Sequence, residues 1–200
     1  MASFVSGNDA GPGGKGEVDF EITDAASDDA NIKGVIVTVA EVRVNGQPLS
    51  GFTKQTIDLK AYQEGSTKLL GTAKMDARTY NNITLVLDLD SDADRNSPGC
   101  YVLTYDDVKF KLKSTSSGKH EIALNQTWKV VSDTKTKVVM DFDLRKSIRY
   151  SDDASIRYSF VSNQNLNTAV RVITRENSGS IKGHFEDESH VNAEKTVVYA

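Results

Sequence analysis

Two hundred residues carrying 24 Lys plus Arg against 28 Asp plus Glu have a formal charge of -4, so no global positive field gathers nucleic acid or an anionic membrane. That length supplies one sizeable core, or one domain plus a fragment of another, and the second division is the expectation here. No apolar run approaches a bilayer span, and the single cysteine, Cys100, cannot close an internal disulfide, so packing alone must hold the fold.

The opening "MASFVSGNDAGPGGKGE" has no charged leader followed by an apolar stretch, so a secretory signal is either absent or already removed. Its glycines read as a flexible tether over residues 1–16. From Glu17 apolar residues recur at every second position, the period of strands with one buried face. Val18, Phe20 and Ile22 face inward, opposite Glu17, Asp19, Glu21 and Thr23. "DAASDDANIKG" supplies turn formers, and "VIVTVAEVRV" is apolar on both faces at its start, as in a central strand. Asn45-Gly46 then signals a tight turn.

"IDLKAYQEG" is the one convincing helical turn, with Asp58 to cap it and Gly65 to end it. In "NNITLVLDLD" Ile83, Leu85, Leu87 and Leu89 point inward, while Asp88 and Asp90 point outward. "YVLTYDDVKFKLKS" makes two short strands around Asp106-Asp107, with Lys109, Lys111 and Lys113 on the solvated face. "HEIAL", "TWKVV", "TKVVMDFDLRKSI", "SIRYSFV" and "TAVRVIT" continue the alternation. About ten short strands with almost no helix predict an all-β antiparallel sandwich, Ig-like or prealbumin-like, over residues 17–176, with a barrel as the competing architecture. Residues 177–200, with "SIKGHF" and "KTVVYA", read as the start of a second β-domain, cut short or packed as an extra hairpin.

Several blocks in this order resemble the bacterial family catalogued as domain of unknown function 4382: "GEVDFEITDAASDDANIKGVIVTVAEVRVNG", "IDLKAYQEGSTKLLGTAKMDARTYNNITLVLD", "SPGCYVLT" and "VVMDFDLRKSI". The most specific are "DFDLRK", "PGCYVL" and "ITDAASDD"; "MDARTY" stands where a Pro-Ala-Gly-Thr-Tyr turn would be expected. The resemblance implies a β-rich extracytoplasmic domain of a bacterial surface lipoprotein, with no enzymatic activity, and the tail resembles the start of a carboxypeptidase-regulatory, prealbumin-like β-domain. Membrane attachment would come only through an upstream lipid anchor, because no lipid-acceptor cysteine precedes the tether.

Asp88, Asp90, Asp92 and Asp94 fall at alternate positions and can offer calcium several carboxylates. Counted from Asp90, however, the glycine that an EF-hand needs at its sixth place is Arg95, and the glutamate of its twelfth is Tyr101. The plainer reading is a solvated strand end paired with lysines. Asp141, Asp143 and Arg145 on one strand face form either a polar groove for a ligand carboxylate or sugar, or a structural charge ladder. Trp128, with Tyr101, Tyr105, Tyr150 and Tyr158, can furnish an aromatic platform for sugars or fill the core. A Cys100-His120 dyad is the one conceivable nucleophile and base, and zinc has no ligand spacing. The expectation is therefore a non-catalytic extracytoplasmic module that binds a glycan or protein, or else an architectural spacer with a calcium-stabilised loop that presents the downstream domain.

Overall fold

The computed structural model describes residues 13–25, 30–63 and 65–174. Residues 1–12 of the stretch read as a tether, the aspartates of "ASDD" and the tail read as a second domain lie outside the described residues. The first half contains β1 (Lys15–Ala25), β2 (Ile32–Val44), β3 (Gln47–Pro48), β4 (Gln55–Asp58), a 3-10 turn (Leu59–Ala61), β5 (Lys68–Asp76), β6 (Thr79–Tyr80) and β7 (Ile83–Asp88). There follow β8 (Tyr101–Thr104), β9 (Lys109–Lys111), β10 (Lys119–Leu124), β11 (Trp128–Lys129) and β12 (Lys135–Asp143). The described chain ends with α1 (Leu144–Ser147), β13 (Ile148–Tyr150), β14 (Tyr158–Phe160), α2 (Asn163–Ala169) and β15 (Val170–Thr174).

The fold is an all-β sandwich. One sheet has the order β15-β12-β1-β5, and the other β10-β7-β2-β8-β9 with β3 and β4 also on β2. The apolar alternation explains both: Val18, Phe20 and Ile22 of β1 and Val138, Met140 and Phe142 of β12 are buried against Leu85, Leu87, Val102 and Ile122 of the second sheet in one core. β2 is central, as its two-sided apolar start predicts. It ends at Asn45-Gly46, both with positive φ, the conformation a two-residue hairpin turn requires.

Among the strands of the described residues the antiparallel expectation fails for β1 and β12, which run parallel, Glu17 opposite Lys135 through Ala25 opposite Asp143; an isolated bridge between Lys113 and Ser159 is parallel too. Nor is the outer face of β1 solvated. Asp19 and Glu21 are buried there, held by Lys135 at 3.0 Å and Lys137 at 2.9 Å and by the hydroxyls of Thr72 and Thr67. The strand also begins at Lys15, so the last two residues of the glycine-rich stretch belong to it.

Asp58 caps the 3-10 turn as its position predicts, accepting from Lys60 N at 3.1 Å. The "PGCY" block owes its glycine to a close approach: a Cβ on Gly99 would collide with the carbonyl oxygens of Asp88 and Ser91. The Gly99 carbonyl in turn accepts from the buried Thr38 hydroxyl at 2.7 Å, which ties the bend to β2.

Candidate functional site: an aromatic cleft between two hairpins

Two hairpins leave the body of the sandwich side by side. In β8–β9 the Thr104 hydroxyl donates to Asp106 and to the Val108 carbonyl, while Asp107 takes a left-handed φ of 61°, so a short polar bend is fixed. In β13–β14 Asp153 accepts from Ser155 N at 2.8 Å and shapes the connecting turn. The hairpins dock because Lys113 N donates to Tyr158 O at 3.1 Å and Phe160 N to Lys113 O at 2.8 Å. Tyr105 N reaches Asn31 O at 3.2 Å and brings the start of β2 to the same place.

Between the hairpins lies a cleft of about 390 Å³, within the size range of small-ligand sites. Its apolar wall is Tyr105, Phe110, Tyr150 and Tyr158; its polar rim is Asn31, Thr104, Asp106 and Arg157. Tyr158 is buried and braces the wall edge to face, 5.7 Å from Phe110 and 5.6 Å from Tyr150. Tyr105 and Tyr150 remain 67% and 54% exposed, so two rings are open to a ligand. Arg157 lies 5.6 Å over the Tyr150 ring and donates to its hydroxyl at 2.8 Å, which fixes the guanidinium at the rim. The Thr104 hydroxyl holds Asp106 below the usual carboxylate range, so at neutral pH it is an acceptor only.

The family model described as Domain of unknown function (DUF4382) matches residues 15–161. The chain belongs to this family. Comparisons with curated proteins and with solved structures return no match. The DUF4382 match covers both hairpins of the cleft and ends before α2 and β15, although β15 completes the first sheet by pairing with β12.

Of the aromatic residues read as a platform, this DUF4382 domain gathers Tyr105, Tyr150 and Tyr158, and leaves the other two out. Trp128 is 3% exposed, stacked on Tyr80 at 4.8 Å and edge-on to Phe20 at 5.8 Å. It is a core residue: its short strand β11 pairs with β6, and the ring packs inward between Tyr80 and Phe20. Tyr101 is half-buried on β8 beneath the Lys109 ammonium.

Asp141, Asp143 and Arg145 do not share a strand face. Asp143 ends β12 and accepts from Lys146 N, so the chain turns into α1 and Arg145 leaves the strand. Asp141 is buried against Arg171 Nη2 at 2.6 Å, and Asp143 takes Lys146 Nζ at 2.9 Å and Arg145 Nε at 3.5 Å. These are the contacts of the charge ladder.

Of the four aspartates from Asp88 to Asp94, three have their carboxylates engaged. Asp88 accepts from Lys54 at 2.9 Å and from the backbone N–H groups of Asp90 and Ser91, at 3.0 Å each. Burial pushes its pKa up, but these donors outweigh it and bring Asp88 down to about 2. Asp90 pairs with Lys111, Asp92 accepts from Asp94 N and Asn96 N, and Asp94 is exposed. Among the described residues no group of three or more His, Cys, Asp or Glu is placed to share a metal ion. Millimolar calcium is therefore expected to leave the unfolding temperature unchanged in a thermal scan; a reproducible rise would show that this loop rearranges to collect its carboxylates.

Cys100 and His120 are both buried and have different partners. The thiol donates to Asp88 O at 3.3 Å, and burial pushes it up to about 12, the opposite of an activated nucleophile. His120 bonds Ser114 Oγ through Nδ1 at 2.6 Å and stacks on Phe160.

Sequence reasoning missed Asn31, Phe110, Asp106 and Arg157 as one group. The available signal was two tyrosines beside polar turns, Tyr105-Asp106-Asp107 and Tyr150 to Arg157.

Proposed function

We propose that this DUF4382 domain is a non-catalytic binding module whose ligand is a glycan held in the cleft between the two hairpins. The observation that carries the reading is one concavity combining two exposed tyrosine rings with a fixed guanidinium and an ionised carboxylate. Rings of this kind stack on the apolar face of a pyranose, while Asp106 and Arg157 are suited to accept from and donate to its hydroxyls. The setting is extracytoplasmic, on a surface-anchored bacterial protein with a further β-domain downstream. That part of the reading is supported by the family resemblance, and recovery of the full-length protein solely from the cytoplasmic fraction would overturn it.

A glycan array followed by calorimetry on the positive sugars tests the cleft. Tyr105→Ala and Tyr150→Ala are each expected to weaken binding about tenfold, roughly 1.4 kcal/mol. Both rings are exposed, so stability should change by less than about 0.5 kcal/mol. A blank array, or binding indifferent to both replacements, would overturn the glycan reading and leave the module an architectural spacer.

A further inference from the structure

The strand that supplies Tyr150 to the cleft also borders a second hollow. This one, of about 360 Å³, is lined by Arg145, Lys146, Ile148, Arg149, Asn165 and Thr168, where α1, α2 and β13 come together. Three cations within five residues converge on it, in a chain whose formal charge is -4. Asp143 engages two of them, Lys146 at 2.9 Å and Arg145 at 3.5 Å. Arg149 is exposed, and among the described residues no carboxylate pairs with it. Its guanidinium keeps a planar fork of donors that suits a carboxylate or a sulfate ester in bidentate fashion, and the Asn165 side-chain amide adds an uncharged donor beside it, while the Thr168 hydroxyl is spent on the Asn165 carbonyl at 2.8 Å.

The two hollows are neighbours along one short strand. Ile148 lines the second and Tyr150 the first, with Arg149 between them in the chain. At about 3.3 Å per residue the backbone positions of Ile148 and Tyr150 lie about 7 Å apart, so the two hollows border one stretch of strand.

We propose that the basic hollow receives the anionic substituent, a carboxylate or sulfate ester, of a glycan whose neighbouring pyranose stacks in the aromatic cleft, so that the domain selects acidic polysaccharides. The proposal rests on the glycan reading and adds the ligand's charge to it. The acidic chain as a whole repels a polyanion, so preference for one must come from a local site such as this.

The test uses matched pairs: polygalacturonate oligomers against their methyl esters, and dextran sulfate against dextran, with affinity measured at low and high salt. Expected is at least tenfold tighter binding of one acidic probe than of its neutral counterpart, reduced by salt as exposed charges are screened. Which pair shows the preference tells carboxylate from sulfate. Arg149→Gln should abolish the preference and leave binding of the neutral probe and the unfolding temperature unchanged, whereas Tyr150→Ala should weaken acidic and neutral probes alike. Equal binding of both members of each pair, insensitive to Arg149→Gln, would overturn the proposal and leave the glycan reading standing. Acidic binding lost in Arg149→Gln but indifferent to Tyr105→Ala and Tyr150→Ala would also overturn it, because the two hollows would then not share one ligand. Failure of every probe to bind, with sugars positive on the array, would overturn the acidic preference alone; a blank array would remove both readings.

Discussion

Trp128→Ala is expected to destabilise the domain by about 3–5 kcal/mol, the usual cost of emptying a large aromatic site in a core. The ring is 3% exposed and ties the β6–β11 pair, on whose Tyr80 it stacks at 4.8 Å, to the centre of β1, whose Phe20 meets it edge-on. Aromatic pairs of this geometry add about 0.5–1.5 kcal/mol each beyond area. Against a total stability of about 5–15 kcal/mol the loss is large, and for a domain of this size it corresponds to a drop in unfolding temperature of roughly 10–15 °C. Urea denaturation of the purified variant measures it. Trp128→Phe should cost less than half as much, because the stack survives and the buried indole N–H has no acceptor to lose. A Trp128→Ala variant that unfolds like the parent, but fails to bind sugar, would return the residue to the surface platform that its size suggests.

The contribution of Asp24 to stability is expected to be lost as pH rises from about 4 to 7. Asp24 ends the core-spanning part of β1, opposite Phe142, and is 4% exposed. Burial is the main reason its pKa rises, and the nearby Asp141 charge adds to it. Gln63 Nε2 donates at 3.0 Å to one oxygen, while the other has no partner, so the offset is partial and the value is raised from 3.8 to about 7. A raised carboxylate holds its proton in the folded state while the unfolded chain has lost it. Its contribution is therefore complete below the unfolded value of 3.8 and lost as pH rises through the folded value near 7. At about 1.4 kcal/mol per unit the loss is on the order of 4 kcal/mol.

Asp88, Asp19 and Asp143 act oppositely, since their folded values are lowered and their contributions disappear as pH falls below about 4. His120 also works against the Asp24 trend, because burial lowers its pKa and its contribution is lost as pH falls below the unfolded value of 6.5. Asp24→Asn should remove the Asp24 loss between pH 5 and 8 in a series of thermal scans. An Asp24→Asn profile that parallels the parent's across that interval would mean that Asp24 is already ionised in the folded state.

How far these features were legible depends on how local their causes are. Alternation in β1, β2, β7 and β12 reports burial directly, so the sandwich and its inward residues could be read from the sequence. β5 is an edge strand that buries only Leu70 fully, and its alternation is too weak to see. α2 is a run of Asn, Gln and Thr that buries Leu166 and Ala169, and it depends on the Ser162 cap rather than on helix-forming residues. Arg145 was misplaced for a similar reason: the "DFDLRK" alternation continues in sequence while Asp143 starts a helical turn in space.

The site followed the same rule. Three of its tyrosines stood out as aromatic residues, but their meeting depends on Lys113 bonding across to β14, a contact between segments more than forty residues apart. Trp128, the most conspicuous candidate by size, was drawn inside by its neighbours. Asp24 looked like one more turn aspartate until β12 covered it.

The parallel pairing of β1 with β12 has a temporal side. Glu17 lies opposite Lys135, 118 residues further along the chain, and synthesis proceeds at about 5–20 residues per second. Once synthesised, β1 therefore waits on the order of ten seconds for the partner that covers its charged face. The sheet centred on β2, by contrast, has all its strands between Ile32 and Leu124, so its full set has been synthesised before the seam of the first sheet can close. Throughout that wait Asp24 stays in water, and it has no reason to hold its proton until β12 arrives.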